Sequence, residues 1–311
     1  MTNKPISMLP SLLTLCNFSC GFISIILNIQ SIYWRGQGQA DKSFGLFTAS
    51  CLIIFLGMVF DMLDGRVARM TNSQSKLGGE LDSLADVCTF GIAPAVILGS
   101  LWIRVMPDTA QWWSFAMVAG VIYACCAALR LAIYNLHISE EATGHFNGLP
   151  SPGAAGAVVG AALFLSQDYM KELWNSLYSL VAANVNGVSP TVAADYKTAG
   201  LYVFSVYVII LGLMMVSSFR FAHAANIWLG KTKKIYTLLF FVIVFALLSL
   251  ERTRNIVLFL GFNAYIVVCM FVNVRNRLKH REAEIDRDME DALNPEGESV
   301  DGIEEVEEEN K

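Results

Sequence analysis

The sequence has few charged residues for its length. Only 16% of its 311 residues are Asp, Glu, Lys or Arg, whereas a soluble domain carries about 25%. Hydrophobic residues make up 55% of the chain, and several apolar runs approach the roughly 20 residues that a helix needs to cross a bilayer. The composition therefore excludes an ordinary soluble enzyme and indicates an integral membrane protein.

The sequence also lacks the cysteine patterns of metal-bound or disulfide-linked proteins. Its seven cysteines are odd in number, lie in apolar stretches and contain no Cys-x-x-Cys pair, so we interpret them as small hydrophobic residues. No internal repeat is visible. The first apolar run has no small-residue cleavage site, so no cleavable signal peptide is expected. No nucleic-acid partner is expected either.

Eight apolar segments predict an all-α fold, a polytopic helical bundle in the membrane. The fifth segment is short and rich in glycine and alanine, so we expect it inside the bundle, because small residues allow helices to approach closely in lipid. The segments lie near residues 8–30, 44–64, 80–103, 112–135, 153–169, 199–218, 235–250 and 254–274.

Lysine and arginine are distributed unevenly between the two sides of this bundle. With the N-terminus inside, the inner flanks carry fourteen basic residues and the outer flanks seven. Cytoplasmic flanks are the richer in lysine and arginine, so both termini are predicted to be cytoplasmic, in a bacterial inner membrane. The longest loop, 170–198, then faces outward and contains no recognisable motif.

The charge of −5 is divided unequally along the chain. Residues 282–311 hold fourteen acidic and two basic residues, which leaves the rest of the chain at +7. The acidic tail is expected to be solvated and disordered. The basic body suits an anionic substrate or anionic membrane lipids. A basic cluster is expected at lipid headgroups, or alternatively at the substrate pyrophosphate; it consists of Arg220, Lys231, Lys233 and Lys234.

Four aspartates lie at the predicted cytoplasmic ends of the second and third segments. Asp61 and Asp64 are three residues apart, and Asp82 and Asp86 are four apart, so each pair falls on one helix face. A carboxylate near hydrocarbon is costly and normally has a function. Four facing carboxylates suit hard divalent cations, and two ions about 4 Å apart could clamp a pyrophosphate.

Neighbouring residues fit a phosphate-containing ligand. Gly65 and Gly78 flank the connecting loop and allow a nucleotide to approach the backbone closely, and Arg69 offers a forked cation for phosphate. The alternative is purely structural. In that case Asp61 and Asp64 end a helix, and Asp82 pairs with Arg69.

The run D-x-x-D-G-x-x-A-R-x8-G-x-x-x-D-x-x-x-D over residues 61–86 resembles the signature of the CDP-alcohol phosphotransferase family. The resemblance implies a dimeric protein with a six-helix core and a divalent metal pair, Mg²⁺ or Mn²⁺, in a polar cytoplasmic cavity. It implies that the four aspartates are metal ligands or their neighbours, and that Asp86 is the general base. It further implies a CDP site lined by Asp64, Gly65, Ala68, Arg69 and Gly78.

Three flanking segments resemble the phosphatidylserine synthase branch of that family, namely residues 9–22, 80–95 and 146–152. This resemblance implies CDP-diacylglycerol as donor, L-serine as acceptor, and a core over residues 1–235. Residues 236–275 would then form two additional helices, and residues 276–311 the acidic tail.

Three further polar residues are candidates for the acceptor or for a phosphate. Arg130 lies within the fourth segment and could bind the serine carboxylate or a lipid phosphate, or alternatively pair with a motif aspartate. Asn17 and Asn135 are the other two, and Asn17 could equally form an interhelical hydrogen bond.

Two other functions remain open from the sequence. The same chemistry could use glycerol 3-phosphate, inositol phosphate or choline as acceptor. A cation transporter could use the aspartates as its ion site, although transporters place such acids near mid-membrane between repeated halves, which this sequence does not show. A non-catalytic scaffold is disfavoured by the intact set of aspartates.

Overall fold

The computed structural model describes residues 8–71, 75–105, 113–137, 146–166, 192–217, 220–221 and 251–293. These residues are almost entirely helical, with one pair of two-residue strands, β1 (Phe146–Asn147) and β2 (Arg220–Phe221). The helices are α1 (Met8–Gly36), α2 (Ala40–Met70), α3 (Lys76–Asp86), a π-helical turn (Val87–Ile92), α4 (Ala93–Val105), α5 (Trp113–His137), α6 (Ser151–Leu165), α7 (Val192–Val216) and α8 (Glu251–Leu293).

Five helical stretches of the described residues are long and apolar enough to cross a membrane, and two shorter helices are also apolar. The chain is therefore a multi-pass integral membrane protein, as predicted. Seven of the eight predicted segments lie in helices, and the segment at 235–250 lies outside the described residues. The five long stretches are Leu9–Gly36, Ala40–Met70, Lys76–Arg104, Phe115–Asn135 and Thr253–Arg275.

Helix α1 lies at the centre of the part of the bundle that carries the aspartates. It packs against α2, α3, α4 and the π turn. A line of polar residues follows one face of α1 at spacings of three, four or seven, and all are buried: Thr14, Asn17, Ser24, Asn28 and Ser31. Polar contacts between helices replace the missing hydrophobic driving force in lipid. The side chains of Thr14, Asn17, Ser24 and Ser31 each hydrogen-bond to another helix, which explains why an apolar helix takes one fixed orientation.

The π turn brings α1 and the third span into close contact. The Thr89 hydroxyl donates to the Asn17 carbonyl oxygen at 2.9 Å, and the Tyr123 hydroxyl donates to the Phe90 carbonyl oxygen at 3.0 Å. Both bonds are buried. A π turn interrupts the regular helical hydrogen bonding and is often found at functional sites. This one follows Asp86 directly. It fixes where the Asp86 backbone lies relative to α1.

Replacing Gly21 with alanine is expected to lower the thermal unfolding midpoint in detergent. A Cβ at Gly21 would lie 2.7 Å from the Thr89 Cα and 2.9 Å from the Thr89 backbone nitrogen. Because neither atom can move without displacing the π turn, we expect an overpacking cost of roughly 1–3 kcal/mol. The matched control is Gly45→Ala in α2, where a Cβ meets nothing within 4 Å. Equal midpoints for the two variants would contradict this packing.

Helix α6 is the small-residue helix, and it lies inside the bundle as predicted. Every residue from Ala154 to Leu163 is buried. A Cβ at Gly160 would lie 3.2 Å from the Leu258 backbone, so this glycine sets the close approach of α6 to the first part of α8. Phe164 and Phe259 stack with ring centroids 4.6 Å apart.

The segment that precedes α6 is pinned to the end of α7. Strand β1 pairs antiparallel with β2, with Asn147 opposite Arg220, and the Leu149 backbone N–H donates to the Met214 carbonyl oxygen at 3.0 Å. Gly148 has φ +85°, and a Cβ there would collide with the Met215 carbonyl oxygen. Only glycine suits this position, so the loop enters α6 in one defined path.

The structure corrects two predicted boundaries. Helix α8 continues to Leu293, so residues 276–293 are helical rather than disordered. This stretch consists mostly of helix-favouring residues, and it extends an existing helix without a new nucleation step. Helix α7 begins at Val192, within the predicted 170–198 loop, whose residues 170–191 lie outside the described ranges. The chain forms two compact units, Met1–Ile266 and Val267–Lys311.

Candidate active site

Three of the four motif aspartates converge. One carboxylate oxygen each from Asp61, Asp64 and Asp82 lies within 4.8 Å of the other two. Asp64 is buried, and Asp61 and Asp82 are half-buried. Asp61 and Asp64 share a face near the end of α2, and Asp82 comes from α3. Helices α2 and α3 each pack mainly against α1. Their aspartate side chains nevertheless meet.

Asp86 lies outside this group of three but within electrostatic range of all its members. It is 7% exposed, and its Oδ1 accepts a hydrogen bond from Asn17 Nδ2 at 3.0 Å. Asp86 follows Asp82 by one helical turn, which places it about 6 Å deeper along the axis. The structure thus separates a cluster of three carboxylates from a fourth carboxylate that is also buried.

The arrangement suits a divalent cation. Asp82 Oδ1 is buried and has no hydrogen-bond partner among the described residues, and no basic side chain of those residues bonds to the three carboxylates. Hard cations such as Mg²⁺ and Mn²⁺ prefer carboxylate oxygens. The cluster of three therefore has the donor chemistry of a metal site, with one oxygen already desolvated and unsatisfied.

Two residues of α1 orient the aspartates. The Thr14 hydroxyl lies 2.8 Å from Asp64 Oδ2, to which it donates, and 3.0 Å from the Pro10 carbonyl oxygen. Asn17 is fully buried, and its bond to Asp86 is the interhelical hydrogen bond that the sequence left open. The sequence reasoning missed Thr14. Its position one turn before Asn17 on the same face was the available signal.

Arg130 lies beside the site and forms no ion pair with any of the four motif aspartates. Its Nη1 donates to Ser151 Oγ at 3.0 Å, its electrostatic neighbours include Asp86, and its Nε is buried without a partner among the described residues. Ser151 is the first residue of α6, which follows the pinned Gly148 turn. The guanidinium is therefore held at the site with donor capacity to spare.

The remaining predicted site residues differ in their surroundings. Asn135 Nδ2 donates to Ser83 Oγ at 2.9 Å, so it links α5 to α3. Gly65 has open space on its Cβ side, whereas Gly78 packs against the Ser75 hydroxyl that caps α3. Ala68 is half-buried and Arg69 is exposed. Of the predicted basic cluster, Lys231, Lys233 and Lys234 lie outside the described residues.

Comparison with known proteins gives one family. A sequence model of the CDP-alcohol phosphatidyltransferases matches residues 7–186. Three relatives carry the name CDP-diacylglycerol–serine O-phosphatidyltransferase. The protein of Helicobacter pylori is 28% identical over 79% of this chain and 84% of its own length. That of Bacillus subtilis is 33% identical over 49% and 73%, and that of Mycobacterium leprae 32% identical over 58% and 57%.

Proposed function

Because the chain belongs to the CDP-alcohol phosphatidyltransferase family, we propose that it transfers a phosphatidyl group from CDP-diacylglycerol to the hydroxyl of L-serine, giving phosphatidylserine and CMP. The observation that carries the phosphotransfer chemistry is the convergence of the Asp61, Asp64 and Asp82 carboxylates within the matched segment. The choice of serine rests on the names of the relatives.

In this proposal Asp61, Asp64 and Asp82 hold divalent cations, with Asp86 as the fourth carboxylate nearby. Bound Mg²⁺ or Mn²⁺ would offset the negative charge of the pyrophosphate as the phosphoanhydride bond breaks. Thr14 keeps the Asp64 carboxylate in a fixed orientation through its 2.8 Å hydrogen bond. The CDP moiety lies against the end of α2, where Gly65 leaves open space and Ala68, Arg69 and Gly78 complete the lining.

Asp86 takes the proton of the serine hydroxyl. The hydroxyl oxygen forms a bond to the phosphorus that carries the diacylglycerol, the bond from that phosphorus to the bridging oxygen breaks, and CMP leaves with the electron pair. The hydrogen bond from Asn17 to Asp86 Oδ1 fixes the carboxylate and leaves Oδ2 to accept the proton. We invoke no covalent enzyme intermediate, because no nucleophile–base pair is apparent in the sequence.

Arg130 binds the serine carboxylate. Its guanidinium is oriented by Ser151 and retains a buried N–H without a partner among the described residues. A cation facing a substrate carboxylate forms charge-assisted hydrogen bonds. Asn135 hydrogen-bonds to Ser83. This bond links α5 to α3 and so sets the position of Arg130 along α3.

We further propose the membrane arrangement in which this reaction runs. The aspartates and both termini face the cytoplasm of a bacterial cell, in keeping with the excess of basic residues on that side. Residues 1–235 form the family core, which acts as a homodimer, with anionic lipids around it.

An acceptor panel tests the choice of serine. Purified protein is supplied with CDP-diacylglycerol and, in turn, L-serine, glycerol 3-phosphate, inositol phosphate and choline, and CMP release is followed. Only serine is expected to support turnover well above the rate with water. Preferential use of another alcohol would overturn serine as the acceptor while leaving the phosphotransfer chemistry intact.

The variant Arg130→Gln is expected to raise the KM for serine by about 10-fold or more, because a hydrogen bond to a charged group contributes roughly 1.5–3 kcal/mol. The KM for CDP-diacylglycerol should change little. Arg130→Lys keeps the charge, so its KM for serine should lie between those of the unmodified protein and of Arg130→Gln. A rise confined to the KM for CDP-diacylglycerol would instead assign Arg130 to the lipid phosphate.

The variant Thr14→Val is expected to lower the affinity for the metal by roughly 10–100-fold, as loss of an outer-sphere partner does in other sites. Valine has nearly the shape of threonine but cannot donate to Asp64, whereas the matched variant Thr14→Ser can. The measurement is the Mn²⁺ concentration for half-maximal activity, with Mn²⁺ binding followed by electron paramagnetic resonance. Identical values for Thr14→Val and Thr14→Ser would show that this bond is irrelevant to the metal.

A further inference from the structure

A second polar cluster lies at the end of α1 opposite to the aspartates. We name it the arginine cluster; it consists of Arg35 and Arg104 with Ser31 and Ser43. Arg35 and Arg104 lie at the ends of the membrane-spanning stretches Leu9–Gly36 and Lys76–Arg104. From Thr14 to Arg35, α1 rises by about 30 Å, which is the thickness of the hydrocarbon core. The arginine cluster is therefore at the other membrane interface.

Arg104 is anchored through one nitrogen only. Its Nη1 donates to Ser31 Oγ and Ser43 Oγ, each at 2.7 Å, and to the Ser43 carbonyl oxygen at 3.2 Å. The Phe47 ring lies 4.7 Å from the guanidinium carbon. Within the described ranges, no hydrogen bond uses Nε or Nη2. The guanidinium is thus held in one orientation, and none of the described residues occupies its other donors.

Arg35 adds a second positive charge beside the first. Its Nη2 donates to the Arg104 carbonyl oxygen at 2.9 Å, which brings the two cations into repulsive range. In the part of the chain that the structure describes, the electrostatic neighbours of Arg104 are Arg35 and Cys51, with no carboxylate among them. A partly buried cation at a membrane normally has an anionic partner, and no described residue supplies one to Arg104.

The side chains around the arginine cluster indicate its depth in the membrane. Lys42 Nζ lies 3.2 Å from the centroid of the Trp34 ring, and Tyr33 packs edge-on against Trp34 at 5.3 Å. Tryptophan and tyrosine are enriched at the level of lipid headgroups. Guanidinium groups bind phosphate oxygens through paired hydrogen bonds. We propose that Arg35 and Arg104 bind the phosphate of an anionic membrane phospholipid at the interface remote from the aspartates.

Lipid retention tests this site. The full-length protein in detergent is delipidated, supplied with phosphatidylglycerol, phosphatidylcholine or inorganic phosphate, and examined by native mass spectrometry and thermal unfolding. Phosphatidylglycerol should remain bound and raise the unfolding midpoint. Arg35→Gln should weaken its retention about 10-fold or more, the loss expected for one charge-assisted contact. Arg104→Gln, which can still bond Ser31 and Ser43, should weaken it at least as much.

The matched control is Arg281→Gln, which removes an exposed arginine of α8 and should leave retention unchanged. Arg35 is exposed, so Arg35→Gln should fold and keep its phosphatidyltransferase activity even if Arg104→Gln does not fold. Equal loss in Arg281→Gln, or unchanged retention in Arg35→Gln, would overturn the proposal. So would equal stabilisation by phosphatidylcholine or by inorganic phosphate, because the site would then not select an anionic lipid.

Discussion

The variant Asp86→Asn is expected to lose turnover by roughly 10²–10⁴-fold, the usual contribution of a positioned general base, while remaining folded and inserted. Asparagine has almost the same shape as aspartate, and its amide oxygen can still accept the hydrogen bond from Asn17 that Asp86 Oδ1 accepts at 3.0 Å. An amide has no basic oxygen for the serine proton. The substitution therefore removes the proposed chemistry and keeps the packing.

The control for this variant is Asp41→Asn, an exposed aspartate in the first turn of α2. CMP release, the unfolding midpoint and the binding of CDP-diacylglycerol are measured for both variants. Asp41→Asn should match the unmodified protein in all three, and Asp86→Asn should differ only in CMP release. If Asp86→Asn kept more than a few per cent of the activity, another group would have to take the proton.

The helices could be predicted from the sequence because hydropathy and length decide them. A run of apolar residues long enough to cross the bilayer has to satisfy its backbone hydrogen bonds internally, so it forms a helix. Hydropathy does not report where a helix ends once it leaves the membrane. Hydropathy placed the end of the last segment at residue 274, whereas helix α8 runs to Leu293. Hydropathy likewise missed the start of α7, which begins at Val192, before its apolar stretch.

The convergence of the aspartates could be predicted in part. Helical spacing puts Asp61 with Asp64 and Asp82 with Asp86 on common faces, and the structure brings the first three together within 4.8 Å. Spacing by four also separates Asp82 from Asp86 by about 6 Å along the axis. That all four carboxylates act together stays a prediction, since Asp86 lies within electrostatic range of the other three. The offset is what leaves Asp86 apart from the cluster of three and beside Asn17.

The partners of the aspartates could not be predicted from local spacing. Thr14 reaches Asp64 across fifty positions of sequence, and Asn17 reaches Asp86 across sixty-nine, so both contacts depend on how α1 packs. The π turn also depends on a contact distant in sequence, because its Phe90 carbonyl oxygen accepts a hydrogen bond from the Tyr123 hydroxyl of α5. Such contacts are properties of the assembled bundle.

Removal of divalent cations is expected to abolish the transferase activity, and Mg²⁺ or Mn²⁺ to restore it. Carboxylates with oxygens within 4.8 Å of one another repel by roughly 3 kcal/mol per pair or more at an effective dielectric constant of about 20. No cationic side chain of the described residues bonds to them. A pyrophosphate brought to this cluster would add further negative charge. The site therefore needs a positive charge that the described part of the chain does not itself supply.

The measurement is CMP release after treatment with EDTA, followed by titration with each metal. Binding of Mn²⁺, followed by electron paramagnetic resonance without substrate, separates metal binding from turnover. Asp82→Asn should lose this signal, since Asp82 Oδ1 is buried without a partner among the described residues and is thus the oxygen most in need of a cation. Asp41→Asn should keep it. Full activity in metal-free buffer would contradict the metal site, and Asp86 would then have to act beside three uncompensated carboxylates.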